Sequence, residues 1–449
     1  MKRSSFTGKI GFVFAAAGSA VGLGNIWRFP YLAAQYGGGI FLLVYLLLVF
    51  GIGFLLMAAE IAIGRKTGLS AIGAFRSLNR KYSFIGYLAA IVPILVFPYY
   101  SVIGGWVTKY FFAFATGDAI ATANEGFFAS FVSQTYEPLI WFFVFLGLTA
   151  VVVFFGVEKG IEKVSKFLMP FLVILAIVIA GYVVTRDGAL EGVLYYLTPD
   201  FSRFSIRTVL SALGQMFYSM SVAMGIMITY GSYMKKEINI ITSAKQISLF
   251  DTGIAFVAGL MIIPAVFLFS DGSQQALNEG PGLMFVTLPK VFQSMNGGTL
   301  IGIIFFLLVF FAALTSAISL METVVSILQD QFKLKRGTAC TLTLLIAVLL
   351  GVPSSLGFGS WDHIRLFGFQ FLDFFDFISN SILVPVVALF TSLFVGYVIR
   401  PKTIIDEIER TSPYQNKRWF SATIRYFAPI CIFVVLITSL LSSFGIFKI

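Results

Sequence analysis

The chain has 449 residues, 58% of them hydrophobic and only 12% charged, with a net charge of +10 and a mean hydropathy of +0.92. Soluble domains carry about 25% charged residues, so a water-soluble fold is excluded. The composition reads as an all-α integral membrane protein, one transmembrane domain over 1–449. The cations sit in loops between apolar segments, which excludes a nucleic-acid partner. His363 is the only histidine, and Cys340 and Cys431 show no metal or redox spacing, so histidine catalysis and a metal centre find no support.

Read from the N-terminus, the apolar run after Lys9 is too long for a cleavable signal and lacks a convincing cleavage site. The first span, about 8–35, contains Gly18-Ser19-Ala20-Val21-Gly22-Leu23-Gly24-Asn25. Each glycine weakens a helix by about 1 kcal/mol relative to alanine. Broken backbone at membrane depth is tolerated where it lines a protein-walled cavity. Its freed carbonyls suit a hard cation, and the amides that open a half-helix suit a carboxylate. The alternative is that the glycines only permit close helix packing. Arg28 follows this stretch, and Glu60 ends the second span, about 38–63. An acid at that place reads as a structural acceptor for amides that an unwound neighbour leaves free. Tyr99-Tyr100, in the third span at about 84–116, reads either as packing or as hydroxyls that need partners.

Spans four and five are expected at about 137–156 and 162–185, and the sixth at about 207–232. The sixth carries Gly214-Gln215 and then Ser219-Met220-Ser221-Val222-Ala223-Met224-Gly225, a second irregular stretch. Asp251 lies within the seventh span, about 242–270, and Ala312-Ala313-Leu314-Thr315-Ser316 within the eighth, about 299–330. Hydroxyls in membrane helices usually bond back to their own backbone. Spans nine to eleven are expected at about 335–353, 366–399 and 420–446, with Asp373 and Asp376 in the tenth. Ionisable groups inside spans are functional-site candidates by default.

Eleven spans of about 20 apolar residues result. If the N-terminus is cytoplasmic, inside segments hold 23 Lys and Arg against six outside. The bias therefore predicts a cytoplasmic N-terminus and an extracellular C-terminus, in the cell (inner) membrane. The two irregular spans each open a block of five, about 1–185 and 204–400. An odd block length makes the second block inverted relative to the first, the arrangement in which transporters place a site at the midplane.

The run GSAVGLGNIWRFPY (18–31), with Gly37-Gly38-Gly39 and Phe41, closely resembles the signature of the neurotransmitter:sodium symporter family. The resemblance covers nearly the whole chain. It implies a LeuT-like fold with two inverted five-helix repeats, discontinuous first and sixth helices and an additional eleventh span. It also implies sodium-coupled symport by alternating access. Two sodium ions and no organic cofactor are implied. The first ion would meet Ala20, Asn25, Ser219 and Asp251, and the substrate carboxylate would complete that site. The second would meet Gly18, Val21, Ala312, Thr315 and Ser316.

By the same resemblance, Leu23, Gly24 and Tyr100 would hold the substrate carboxylate. Ala20, Tyr218, Ser219 and Ser221 would hold its ammonium group. Val96, Tyr218, Met224, Ser316 and Leu320 would line the side-chain pocket. Arg28, Asp376 and Gln215 would form the outer gate, and Arg3, Asp330 and Tyr233 the inner gate. The sequence departs from the family pattern in four ways. It has eleven spans where many members have twelve. Phe6 stands where the family has an N-terminal tryptophan, and Ala223 where a glycine is common. Asp251 stands where relatives often have asparagine, and a carboxylate there would supply the negative charge that animal members take from chloride. Chloride-independent transport is therefore expected.

The expected function is sodium-coupled import of a neutral hydrophobic or aromatic amino acid, by a monomer or weak dimer in the lipid bilayer. A carrier of another small zwitterion, or a non-transporting amino-acid sensor on the same scaffold, are the alternatives. Catalysis is not expected, since no nucleophile–base set or nucleotide loop is present. The spacing of Gly18, Gly22 and Gly24 follows no strand and lacks the context of a phosphate-binding loop.

Overall fold

The computed structural model describes residues 4–124, 126–269 and 281–443, and these are almost wholly helical. The first helices in the chain are α1 (Lys9–Ala20) and α2 (Gly24–Gln35), followed by α3 (Gly39–Thr67), α4 (Arg80–Thr116), α5 (Glu137–Phe154) and α6 (Val157–Val184). Then come α7 (Ile206–Ser219) and α8 (Ile226–Ser232). The last are α9 (Ile240–Leu268), α10 (Gly298–Phe332), α11 (Arg336–Leu356), α12 (Phe371–Val398), α13 (Arg400–Ile408) and α14 (Lys417–Leu441).

Among the described residues nine helices are long and apolar enough to cross a membrane, or ten if α1 and α2 are one bent span. Eleven spans were expected. The difference lies in the sixth, whose residues form α7 and α8, with 220–225 outside either helix. Neither piece reaches the about 20 residues that a crossing needs.

Local chemistry explains both interruptions. The axes of α1 and α2 differ by 57° across Val21-Gly22-Leu23. Val21 still donates to the Ala17 carbonyl at 2.7 Å, but its extended backbone (φ −70°, ψ 102°) ends α1 there. Between α7 and α8, Ser221, Ala223 and Gly225 all take positive φ, at 52°, 66° and 73°. Three left-handed residues in five cannot continue a right-handed helix.

The broken pair sits at the centre of the bundle. Helix α1 packs against α6, α9 and α10, and α4 runs along α10. Helix α8 lies against the second half of α3, close enough that a Cβ on Gly64 would fall 1.9 Å from the Ile228 carbonyl oxygen. On the facing helix, a Cβ on Gly231 would fall 2.4 Å from the Ile61 carbonyl oxygen. Paired glycines thus permit a backbone-to-backbone crossing. Many outward side chains of α5, α6 and α14 are large and apolar and stay exposed, among them Phe143, Ile174, Ile177 and Phe433. That is the surface expected against hydrocarbon rather than water.

Candidate functional site

The non-helical segment of the first span faces that of the sixth, and between them lies a cavity of about 50 Å³. Every residue expected around a substrate lines it: Ala20, Leu23, Gly24, Val96, Tyr100, Tyr218, Ser219, Ser221, Met224, Ser316 and Leu320. So do Asn25 and four residues that the sequence did not single out for the wall, Ser19, Gly22, Ile226 and Asn380. Gly22 could have been suspected, because a side chain there has no room. Its Cβ would lie 2.9 Å from Ser316 Oγ and 3.1 Å from the Tyr100 hydroxyl. The Leu23 amide donates to that same hydroxyl at 3.4 Å. At Gly24, a Cβ would fall 2.4 Å from the ring of Tyr218.

One corner of the site is a cluster around Asp251, which is fully buried. Its Oδ1 accepts from Asn25 Nδ2 and from Ser219 Oγ, each at 2.7 Å, and the Tyr45 hydroxyl reaches Oδ2 at 3.5 Å. Asn25 Nδ2 also approaches Ser219 Oγ at 3.0 Å, while Asn25 Oδ1 accepts from the Gly22 amide at 3.0 Å. The cluster thus joins α2, α7 and α9 with the first interruption. Tyr45 lay outside sequence reasoning, because nothing in an apolar helix marks one tyrosine as facing an acid on another span.

A second corner lies under Ser316. Its Oγ is within hydrogen-bond reach of three carbonyl oxygens of the first span: Gly18 at 3.2 Å, Ser19 at 3.1 Å and Val21 at 3.2 Å. A hydroxyl carries one proton, so it can satisfy only one of the three. The convergence of the others makes an oxygen-rich pocket suited to a hard cation. Next to it, Thr315 Oγ1 bonds back to the carbonyls of Phe311 and Ala312 at 3.0 and 3.1 Å, and its Cβ lies 3.1 Å from where a Gly18 Cβ would stand.

Glu60 does what its position suggests: its Oε1 accepts the Ala223 amide at 2.8 Å, inside the second interruption. Among the described residues, Arg28, Asp376 and Gln215 of the expected outer gate lie on one side of the central cavity, and Asp330 and Tyr233 of the expected inner gate on the other. On one side, Arg28, Asp376 and Tyr218 line a second cavity of about 310 Å³. The Arg28 guanidinium stacks over the Tyr218 ring at 4.9 Å, and Asp376 accepts from the Tyr99 hydroxyl at 3.0 Å. Gln215 Nε2 donates to the Gly24 carbonyl at 3.0 Å. Arg28 and Asp376 therefore face one space while meeting different partners.

On the other side the packing centres on Phe6. Phe6 is fully buried, edge-on to Phe12, Tyr230 and Tyr233, and its amide donates to the Tyr233 carbonyl at 3.1 Å. The Tyr233 hydroxyl donates to Glu322, which Arg336 also clamps at 2.5 Å. The Thr7 amide donates to Glu162 at 2.8 Å, and Lys235 reaches the Thr7 carbonyl at 2.8 Å. Asp330 accepts the Ser70 amide at 2.7 Å. Arg3 lies outside the described residues. Glu162, Glu322 and Arg336 were not singled out, because acids and bases near span ends read as ordinary flanking charge until the fold shows the two acids buried and Arg336 paired with Glu322.

The chain is similar to known proteins along nearly its whole length. A family model described as the sodium:neurotransmitter symporter family matches residues 3–125 and 132–445. An uncharacterised sodium-dependent transporter of Bacillus subtilis is 38% identical over 442 residues, covering 97% of each chain. One from Methanocaldococcus jannaschii is 31% identical over 97% of this chain and 90% of its own. The rat sodium- and chloride-dependent taurine transporter is 26% identical over 93% of this chain and 75% of its own. Among solved structures, that of MhsT in complex with L-phenylalanine superposes with a TM-score of 0.87 at 37% identity, covering 97% of this chain and 100% of that one.

Proposed function

The chain belongs to the sodium:neurotransmitter symporter family, and from that premise we propose that it imports a neutral hydrophobic or aromatic amino acid together with sodium, by alternating access. The observation that carries the reading is the central cavity. It brings carbonyls and amides of two broken helices together with apolar side chains, and among the described residues no charged side chain lines it. A zwitterion can be held there by backbone groups and neutral hydroxyls, with its carboxylate at the Leu23 and Gly24 amides and the Tyr100 hydroxyl. Its ammonium group meets the carbonyls of Ala20, Tyr218 and Ser219 and the hydroxyl of Ser221. Val96, Met224 and Leu320 then receive an apolar side chain, and Met224 adapts to its shape. The relative MhsT, crystallised with L-phenylalanine, supports that choice.

Sodium is carried with the substrate at two places. One is the Asp251 cluster with Asn25, Ser219 and the Ala20 carbonyl. The other is the pocket under Ser316, with the carbonyls of Gly18, Val21 and Ala312 and the Thr315 hydroxyl. The convergence of carbonyls on one Ser316 proton is the fit that favours a cation there. The Asp251 carboxylate adds a fixed negative charge beside the first ion, so transport does not require chloride. Two inverted five-helix repeats, about 1–185 and 204–400, put the broken helices at corresponding places. The Phe6 side is cytoplasmic, as the excess of Lys and Arg in its loops requires, and the Arg28 side faces out.

The reading is tested with the full chain in proteoliposomes and labelled phenylalanine. An inward sodium gradient drives accumulation above equilibrium. Equal accumulation with choline in place of sodium overturns the symport assignment. Competition by taurine but not by phenylalanine would favour a carrier of another zwitterion.

A further inference from the structure

Asn380, on α12, stands where the two cavities meet: it lines both the central one and the larger one beside Arg28. Its Nδ2 donates to Asp376 Oδ1 at 2.7 Å and to the Tyr99 hydroxyl at 2.9 Å. The Tyr99 hydroxyl in turn donates to the same carboxylate oxygen at 3.0 Å. This triangle decides which end of the amide is which. An ionised carboxylate only accepts, so turning the amide over would set oxygen against oxygen.

The other end of the amide is left without a use. Asn380 Oδ1 is buried and has no hydrogen-bond partner among the described residues. Serine hydroxyls around the cavity have already given their protons, Ser219 to Asp251, Ser221 to the Ser19 carbonyl and Ser316 to a first-span carbonyl, so they do not donate to Asn380 Oδ1. Other parts of the wall, Val96, Met224, Ile226 and Leu320, are apolar. Leaving a buried acceptor unpaired is costly, and a site whose polar group is paired only by the right ligand discriminates strongly against ligands lacking the donor.

We propose that Asn380 is a specificity-determining residue whose Oδ1 accepts a hydrogen bond from an N–H or O–H on the substrate's side chain. The transporter then prefers aromatic amino acids that carry such a donor over phenylalanine. This rests on the function proposed above and deepens it by naming the substrate class.

The test is sodium-dependent binding to the purified full chain with two matched pairs. One pair is tryptophan and its analogue with sulfur in place of the indole N–H. The other is tyrosine and phenylalanine with fluorine in place of the hydroxyl. In the wild type each donor-bearing ligand binds about tenfold tighter than its partner. In Asn380→Leu the ratio falls to near one, because the donor-bearing ligand loses affinity while its partner does not. Wild-type ratios near one for both pairs, or ratios unchanged in Asn380→Leu, overturn the proposal, and the wild-type arm decides even if the variant misfolds. Absence of sodium-dependent binding by every ligand instead overturns the function on which it rests.

Discussion

At the scale of single residues, charge placement decides the chemistry. Asp251 is a fully buried acid whose Oδ1 is held by Asn25 and Ser219. A fixed negative charge beside a cation site removes the need for a mobile one. Wild-type uptake is therefore expected to be the same in chloride and in gluconate, while Asp251→Asn loses at least about tenfold in gluconate and recovers partly in chloride. Uptake of the variant equal to wild type in both media would refute this role. Glu60 acts differently, as a backbone acceptor. Glu60→Ala leaves the Ala223 amide buried without its partner, which costs about 1–3 kcal/mol, and a lowered thermal midpoint in detergent is the expected readout.

At the scale of elements, the two interruptions are built by different means. The first relies on glycine. Gly22 lies against Ser316 and Tyr100, and Gly24 against Tyr218, with no space for a methyl group. Gly24→Ala drives its Cβ into the Tyr218 ring, so the ring must move. The expected outcome is at least about tenfold weaker substrate binding with retained folding, measured by sodium-dependent binding alongside a thermal melt. Unchanged affinity would mean that the ring moves freely. The second interruption adds to Gly225 two non-glycine residues, Ser221 and Ala223, at positive φ. Left-handed backbone costs roughly 1–2 kcal/mol per such residue, and the Glu60 bond to the Ala223 amide offsets part of that. An alanine in place of the more usual glycine therefore does not prevent the unwinding.

At the scale of the whole molecule, one side of the site is packed and the other holds a cavity of about 310 Å³. The packed side depends on Phe6, fully buried among Phe12, Tyr230 and Tyr233, and on polar ties from Thr7 to Glu162 and Lys235. Phe6→Ala removes about 3–5 kcal/mol of packing from this side alone. Amide hydrogen exchange is expected to quicken in 4–20 and 226–232 while α11 is unchanged. Uniform acceleration over the chain would point to general destabilisation instead.

The sequence by itself determined the membrane class, the order of apolar segments, both interruptions and, through its resemblance to a known family, most of the residues that line the central cavity. These are legible because hydropathy runs along the chain, and because GSAVGLGN and the acids within spans violate what lipid allows. It also pointed to Glu60 as an acceptor for a neighbour's free amide. Only the tertiary structure decided that the neighbour is Ala223, that Tyr45 meets Asp251, and that three carbonyls converge on the Ser316 hydroxyl. It alone showed that Asn380 sits between two cavities with an unpaired oxygen. The reason is geometric. Each of these contacts, apart from those within one helix, joins residues far apart in sequence. Their side chains meet only once helix rotation and crossing angles are set by packing. No local pattern records that, because an apolar helix offers many nearly equivalent faces until its neighbours choose one.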